Sequence, residues 1–223
     1  MNRCIDETGV NSLACGSSYL GSGGGGDTAL VQIMAKQAIR KFGPVLLLSP
    51  FEIQDEDWVV TSALMGSPAI HNEKITTGNE LITALRELEK EKQIFAHAIS
   101  PLEIGGLNAL APVLTAAFAN LPLVDCDAMG RAFPELQMTT FHAFGAQASP
   151  KVICTDNGYC QRLISDSNFE IEKMARAKMT GMGGSVATAC FPMRANVLQE
   201  VAIHQTLSLC KRLGEGVIEA GPD

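Results

Sequence analysis

The 223-residue chain reads as an α/β protein with a layered, largely parallel or mixed sheet flanked by helices and glycine-rich loops at strand ends. Three observations predict this. Short continuous apolar runs such as Val45-Leu46-Leu47-Leu48 recur, as in strands buried on both faces. Longer stretches with apolar residues at helical spacing separate them, so strand and helix mostly alternate. Glycine clusters stand at three junctions: Gly23 to Gly26, Gly105-Gly106, and Gly181-Met182-Gly183-Gly184. No repeat period or low-complexity linker divides the chain, which predicts one domain over residues 1–223.

Taken in order, residues 2–16 suggest one short helix, followed by a flexible glycine stretch over 16–26. Asp27 suits an N-cap, and Leu30, Val31, Ile33, Met34 and Ile39 pattern a helix that stops at Gly43-Pro44. Strands follow over 45–49 and 58–64, the second ending at Gly66-Ser67-Pro68. Asn79 caps a helix whose Leu81, Leu85 and Leu88 share a face. A strand over 94–99 leads through a glycine loop to a small-residue helix over 109–119, broken early by Pro112, and then to the strand around Leu121. Residues 151–155 and 159–164 form a hairpin about Asp156-Asn157-Gly158. A helix over 169–179, a strand over 185–190, and one long final helix from Pro192 towards Leu213 complete the chain.

Composition narrows the classes of function. With 46% apolar residues the chain can bury a sizeable core, and with only 5% aromatics that core must be aliphatic. A net charge of −7 without a basic stripe argues against a nucleic-acid partner. No apolar run approaches the roughly 18 residues of a membrane span, and no leader-like apolar segment opens the chain. Seven cysteines without C-x-x-C spacing fit a cytoplasmic protein whose thiols are reduced and mostly buried.

Three stretches carry candidate chemistry. Gly21-Ser22-Gly23-Gly24-Gly25-Gly26-Asp27 satisfies G-x-G-x-x-G ahead of a helix, so its amides could cradle an anion. The preceding residues 13–19 make a poor strand, which argues against dinucleotide binding; a flexible surface loop is the plain alternative. Glu103, Gly105, Gly106 and Asn108 form either a ligand loop or a tight turn with Asn as a cap. Residues 125–135 concentrate Asp125, Cys126, Asp127, Arg131 and Glu135 after a buried strand, in a chain with only 18% charged residues. Paired carboxylates suit acid–base work or a divalent metal, with His142 as a further ligand, and Arg131 suits a carboxylate or carbonyl clamp; an internal network bracing the loop is the alternative. Cys126 between two aspartates is better packing than nucleophile, and Cys15 ahead of the glycine loop is the more reactive candidate. His71, in a polar cluster with Asn72-Glu73-Lys74, is the other histidine of interest.

These same three stretches, together with Met65-Gly66-Ser67-Pro68 and Glu73-Lys74, resemble the hallmark segments of the S-methyl thiohydantoin desulfurase (DUF917) family, in its amino-terminal domain. The resemblance implies an α/β domain related to hydantoinase and oxoprolinase enzymes, acting on a five-membered cyclic imide. Family members continue into a β-rich carboxyl-terminal domain, and this chain is expected to end before it, as a stand-alone variant, a fragment or one half of a two-chain enzyme. The expectation is a hydrolase-like enzyme. Water would be activated by Asp125, Asp127 and Glu135 or by a metal they hold with His142. Arg131 would hold the ring, and Gly23, Gly24, Gly25 and Gly26 would receive negative charge. The alternative is a non-catalytic binding or regulatory subunit. Expected partners are the small cyclic imide and either a homo-oligomer or a chain supplying the missing domain, with no nucleic acid and no membrane.

Overall fold

A computed structural model describes residues 3–67, 70 and 77–221. His71, Pro68, Asn72, Glu73 and Lys74 lie outside the described residues. Among the described residues eight strands form the main sheet: β1 (Cys4–Ile5), β2 (Val45–Leu48), β3 (Trp58–Gly66), β4 (Ala98–Pro101), β5 (Leu123–Val124), β7 (Lys151–Cys154), β8 (Cys160–Leu163) and β9 (Ser185–Arg194). β6 (Cys126–Asp127) pairs separately with β10 (Ile203–His204). The main sheet runs in the order β1-β2-β5-β4-β3-β9-β7-β8. Its β2, β5, β4 and β3 are mutually parallel, while β9, β7 and β8 extend it antiparallel beyond β3. The sheet is therefore mixed, with a parallel half made by crossovers and an antiparallel half made largely by a hairpin.

Strand alternation splits β3 between two cores. Val60 and Leu64 face one side with α1 (Glu7–Gly21), α2 (Ala29–Phe42), α3 (Asn79–Lys92), α4 (Ala111–Ala119) and α8 (Thr206–Ala220). Val59 and Ala63 face the other, with Phe141 of α5 (Thr140–Ala143), Ile171 and Ala175 of α6 (Asn168–Gly181), Leu198 of α7 (Ala195–Val201) and the chain between β6 and β7. On α3 the stripe Leu81, Leu85 and Leu88 is fully buried, each contributing about 1.5–3 kcal/mol relative to exposure. Covered on both faces, the sheet leaves binding to the ends of its strands.

Several boundaries differ from expectation for identifiable reasons. The first helix does not stop at Gly16 but runs to Gly21, because Gly16 lies against the backbone of α8. Thr28 rather than Asp27 stands at the N-cap of α2, although the Asp27 carboxylate still accepts from Ala29 N at 2.9 Å. Gly78 occupies the cap position expected for Asn79. Residues 94–97 close off α3 instead of entering the strand: Ile94 N donates to Glu89 O at 3.0 Å and Ala96 N to the Glu89 carboxylate at 2.8 Å. Pro112 starts α4, within its first turn, rather than breaking it. The single final helix is not seen. Phe191 and Pro192 sit where β9 slips register against β3, and α7, β10 and α8 follow in turn. The expectation that all thiols are reduced is also corrected, because Cys154 and Cys160 face each other across the β7–β8 hairpin and are joined in a disulfide. Among the described residues no helix is long and apolar enough to cross a membrane.

Candidate functional site

The loops that the sequence singled out meet beyond the ends of the parallel strands. The loop after β4 carries Gly105 and Gly106; the chain after β6 carries Ala132; and the turn between α1 and α2 carries Gly25. Gly106 has φ +64°, and a Cβ there would stand 2.1 Å from the Gly25 carbonyl oxygen. A Cβ on Gly105 would stand 2.5 Å from Ala132 N. Glycine is thus required for three backbones to touch. Leu107 N donates to Gly25 O at 2.9 Å and Ala132 N to Leu20 O at 3.3 Å, which locks the junction. A helix, not a strand, precedes the Gly21–Gly26 turn, so the G-x-G-x-x-G match lacks the context of a dinucleotide fingerprint.

Around this junction lies a cavity of about 290 Å³. Its walls are Gly24, Gly25 and Gly26, the β3 end at Leu64, Met65 and Gly66, the loop side chains Glu103, Asn108 and Phe133, and Arg176 and Met179 of α6. Asn108 works as a strand extender: its Oδ1 accepts from Leu64 N at 2.7 Å and its Nδ2 donates to Leu64 O at 3.0 Å. It thereby satisfies the edge of β3 where β4 has turned away. The same Nδ2 donates to Glu103 Oε1 at 2.7 Å, and Phe133 N donates to Glu103 Oε2 at 3.0 Å. Only 8% exposed, Glu103 has its carboxyl pushed above the ordinary value by burial, with these two donors opposing the shift.

A smaller chamber of about 60 Å³ shares the walls Leu64, Met65, Glu103, Asn108, Phe133 and Pro134. It adds Lys151 from β7, Thr188 from β9, Glu172 from α6, and Glu135. Lys151 is only 2% exposed; its ammonium reaches the Met65 sulfur at 4.0 Å and makes no ion pair with a described residue. Arg176 Nε donates to Glu172 Oε1 at 2.7 Å, and its Nη2 donates to the Pro134 carbonyl, tying α6 to the loop. Lys151, Glu172, Thr188 and Arg176 were not singled out from the sequence. Lys151 reads there as the polar flank of a strand, and only the strand order shows that β9 on one side and α6 above bury it.

The Asp125–Glu135 cluster is placed differently from expectation. The Asp125 carboxylate accepts from Ser208 N at 2.9 Å and from the Ser208 hydroxyl, in the first turn of α8, and so acts as that helix's cap. Asp127 is fully buried and accepts from Gly130 N at 3.1 and 2.8 Å. Burial pushes its carboxyl up to about 7, against backbone donors from Gly130, Met129 and Ile104. Neither aspartate lines the two chambers. Arg131 is exposed, with its guanidinium 5.4 Å from the Phe133 ring. Glu135 accepts from Gln137 Nε2. His142 Nδ1 lies 3.2 Å from Asn168 Nδ2, and its ring packs edge-on against Phe169. Asp125, Asp127 and His142 therefore do not assemble as metal ligands, and no group of three such side chains occurs among the described residues.

Cys126 is buried, with its thiol pushed well up by burial and by Asp127 and Asp125, which fits packing. Cys15 is a half-buried free thiol on α1. A larger hollow of about 570 Å³ lies beside Asp125; there Arg3 pairs with Glu52 and Asp125 accepts from Ser208, and Arg212 completes the charged lining.

Comparison with known proteins agrees with the resemblance read from the sequence. The model described as S-Me-THD-like, N-terminal domain matches residues 8–163, and the one described as S-Me-THD-like, C-terminal domain matches residues 166–222. The second match corrects one expectation, since sequence of the carboxyl-terminal domain is present in this chain and supplies α6, β9, α7, β10 and α8. The crystal structure of a protein from Chromobacterium violaceum is similar, with TM-score 0.84 and 25% identity over 98% of this chain. This chain spans 62% of that protein's length. No curated protein matches. With its amino-terminal model matched over residues 8–163 and its three hallmark loops joined around one cavity, the chain belongs to the S-Me-THD-like family.

Proposed function

We propose that this chain binds a hydantoin- or thiohydantoin-like five-membered ring in the three-loop cavity and removes or hydrolyses a substituent on it, with Glu103 as general acid and base. The observation that carries this reading is Glu103 itself, a buried carboxyl with a raised pKa that lines both chambers. The family supports a thiohydantoin desulfurase-related role. Mixed walls, with glycine backbone on one side and Leu64, Met65 and Phe133 on the other, suit a flat ring with polar edges.

For an S-methylated thiohydantoin the Glu103 carboxylate takes a proton from water as the water oxygen bonds to the ring carbon bearing sulfur. The carbon–sulfur bond then breaks, and Glu103 returns the proton to the departing thiolate. The resulting hydroxy-imine becomes the ring carbonyl by moving its own proton from oxygen to nitrogen. Asp125 and Asp127 serve this site indirectly, the first by capping α8 and the second by holding the turn at Gly130 that leads to Phe133.

Glu103→Gln is the test. Turnover of an S-methyl thiohydantoin should fall at least ~100-fold, while ring binding, measured by calorimetry, changes only several-fold. The wild-type rate should decline on the acid side with a midpoint above the ordinary carboxylate range, since the base must be ionised and burial raises its pKa. Full turnover in Glu103→Gln would overturn the assignment, and ring binding without turnover in the wild type would favour a binding subunit.

A further inference from the structure

We propose that the small chamber behind Glu103 is a subsite for a small, soft anion, with Lys151 and Thr188 as its donors, and that it takes the thiolate leaving group of the ring substrate. This rests on the reading of the larger cavity as the ring site.

Two buried polar groups in this chamber have only sulfur as a hydrogen-bond partner. Lys151 is a lysine at 2% exposure with no ion pair to a described residue. Carboxylates face the same chamber, but none is within ion-pair distance of its ammonium, so Lys151 keeps donor capacity unused. Thr188, at 1% exposure, has an Oγ1 with no nitrogen or oxygen partner, the Cys190 thiol being its one polar neighbour among the described residues. Both line the same space of about 60 Å³.

Three carboxylates also face this chamber, and each has a partner of its own. Glu172 is held by Arg176, Glu135 by Gln137, and Glu103 by Asn108 and Phe133 N. Lys151 and Thr188 line the same space as donors free of any carboxylate and can turn to a group that enters. Apart from Asn108, whose amide is committed to Leu64 and Glu103, the rest of the wall is apolar, with Leu64, Met65, Leu102 and Met129 among its residues. This carbon and sulfur suits a polarisable group and disfavours a strongly hydrated one. Volume selects likewise, because the space admits a methylthio-sized group and excludes the ring. In the reaction above, charge accumulates on sulfur as the carbon–sulfur bond breaks. Preorganised donors at that position stabilise the charge before Glu103 returns the proton.

Bromide is a suitable probe, being a soft monoanion close in size to a thiolate sulfur. In crystals of the full chain soaked in sodium bromide, anomalous scattering should place an ion against Lys151 Nζ and Thr188 Oγ1. Lys151→Met should abolish that peak, and Thr188→Val should lower its occupancy. In solution, bromide should raise the melting temperature more than fluoride at equal ionic strength, and Thr188→Val should reduce that difference should Lys151→Met fail to fold. An empty chamber in the wild type, or a peak unchanged in both variants, overturns the subsite. Bromide binding needs no ring, so an ion found here beside full turnover in Glu103→Gln would refute the ring chemistry and leave the anion site standing. Turnover lost in Glu103→Gln with no ion found would do the reverse.

Discussion

Asp127 shows how far a residue's role can move once its surroundings are known. Two aspartates flanking a cysteine after a buried strand look like paired catalytic carboxylates. Yet Asp127 is fully buried and spends its oxygens on Gly130 N, while Asp125 caps α8. Burial raises the Asp127 carboxyl to about 7, above its unfolded value near 3.9. The folded state thus binds more protons than the unfolded one between those values. Stability from this group is fully present below about pH 4 and is lost as pH rises through about 7. Urea unfolding at a series of pH values should show wild type losing on the order of a few kcal/mol relative to Asp127→Asn across that window. A parallel pair of curves would contradict the assignment. Part of the cavity lining was legible, since Glu103, Asn108 and the glycines were all singled out. Their roles were not, because burial and hydrogen-bond partners come from chain segments far apart in sequence. Lys151 and Thr188 are the extreme case, each an ordinary strand residue until β7 and β9 pair and α6 covers them.

At the scale of elements, strands with continuous apolar runs and helices with a clear stripe were readable: β2, β3, the β7–β8 hairpin, α3 and α6 all appear where the pattern puts them. Pattern failed where packing overrides local preference. Gly16 and Gly214 are helix-disfavouring residues inside α1 and α8, which made both helices hard to read. Their reason is mutual. A Cβ on Gly16 would stand 1.9 Å from Cys210 O, and one on Gly214 would stand 1.9 Å from Ser12 O, so the two helices cross with backbones touching. Gly214→Val should force them apart and destabilise the protein by at least about 2 kcal/mol in chemical denaturation, whereas Gly216→Val, where a Cβ meets nothing, should cost about 1 kcal/mol or less. Equal losses at the two positions would show that helix propensity, not the crossing, sets the cost. Asp125 caps the same α8, so the crossing and the cap together hold that helix under the sheet.

Across the whole molecule, the parallel strands β4 and β5 lead out at one end into the loop after β4 and, through β6, the chain that carries Ala132, and the α1–α2 turn meets them there. Alternating strands and helices made the fold class readable, but not the reversal beyond β3, where β9 runs antiparallel and brings residues of the carboxyl-terminal match into the same sheet. That arrangement gives the site its far wall. Arg176, Met179 and Thr188 come from residues 166–222, and Glu103, Asn108 and the glycine turn from residues 8–163. The cavity is thus built from both matched segments, with a buried carboxyl in its wall, and the proposed chemistry stands on its holding the ring. A crystal structure of the chain with 2-thiohydantoin decides this. The ring should lie between the Gly24–Gly26 backbone and Phe133, one polar edge within hydrogen-bond reach of Glu103 and its sulfur towards Lys151. A ring bound instead in the hollow beside Asp125, Ser208 and Arg212 would contradict it.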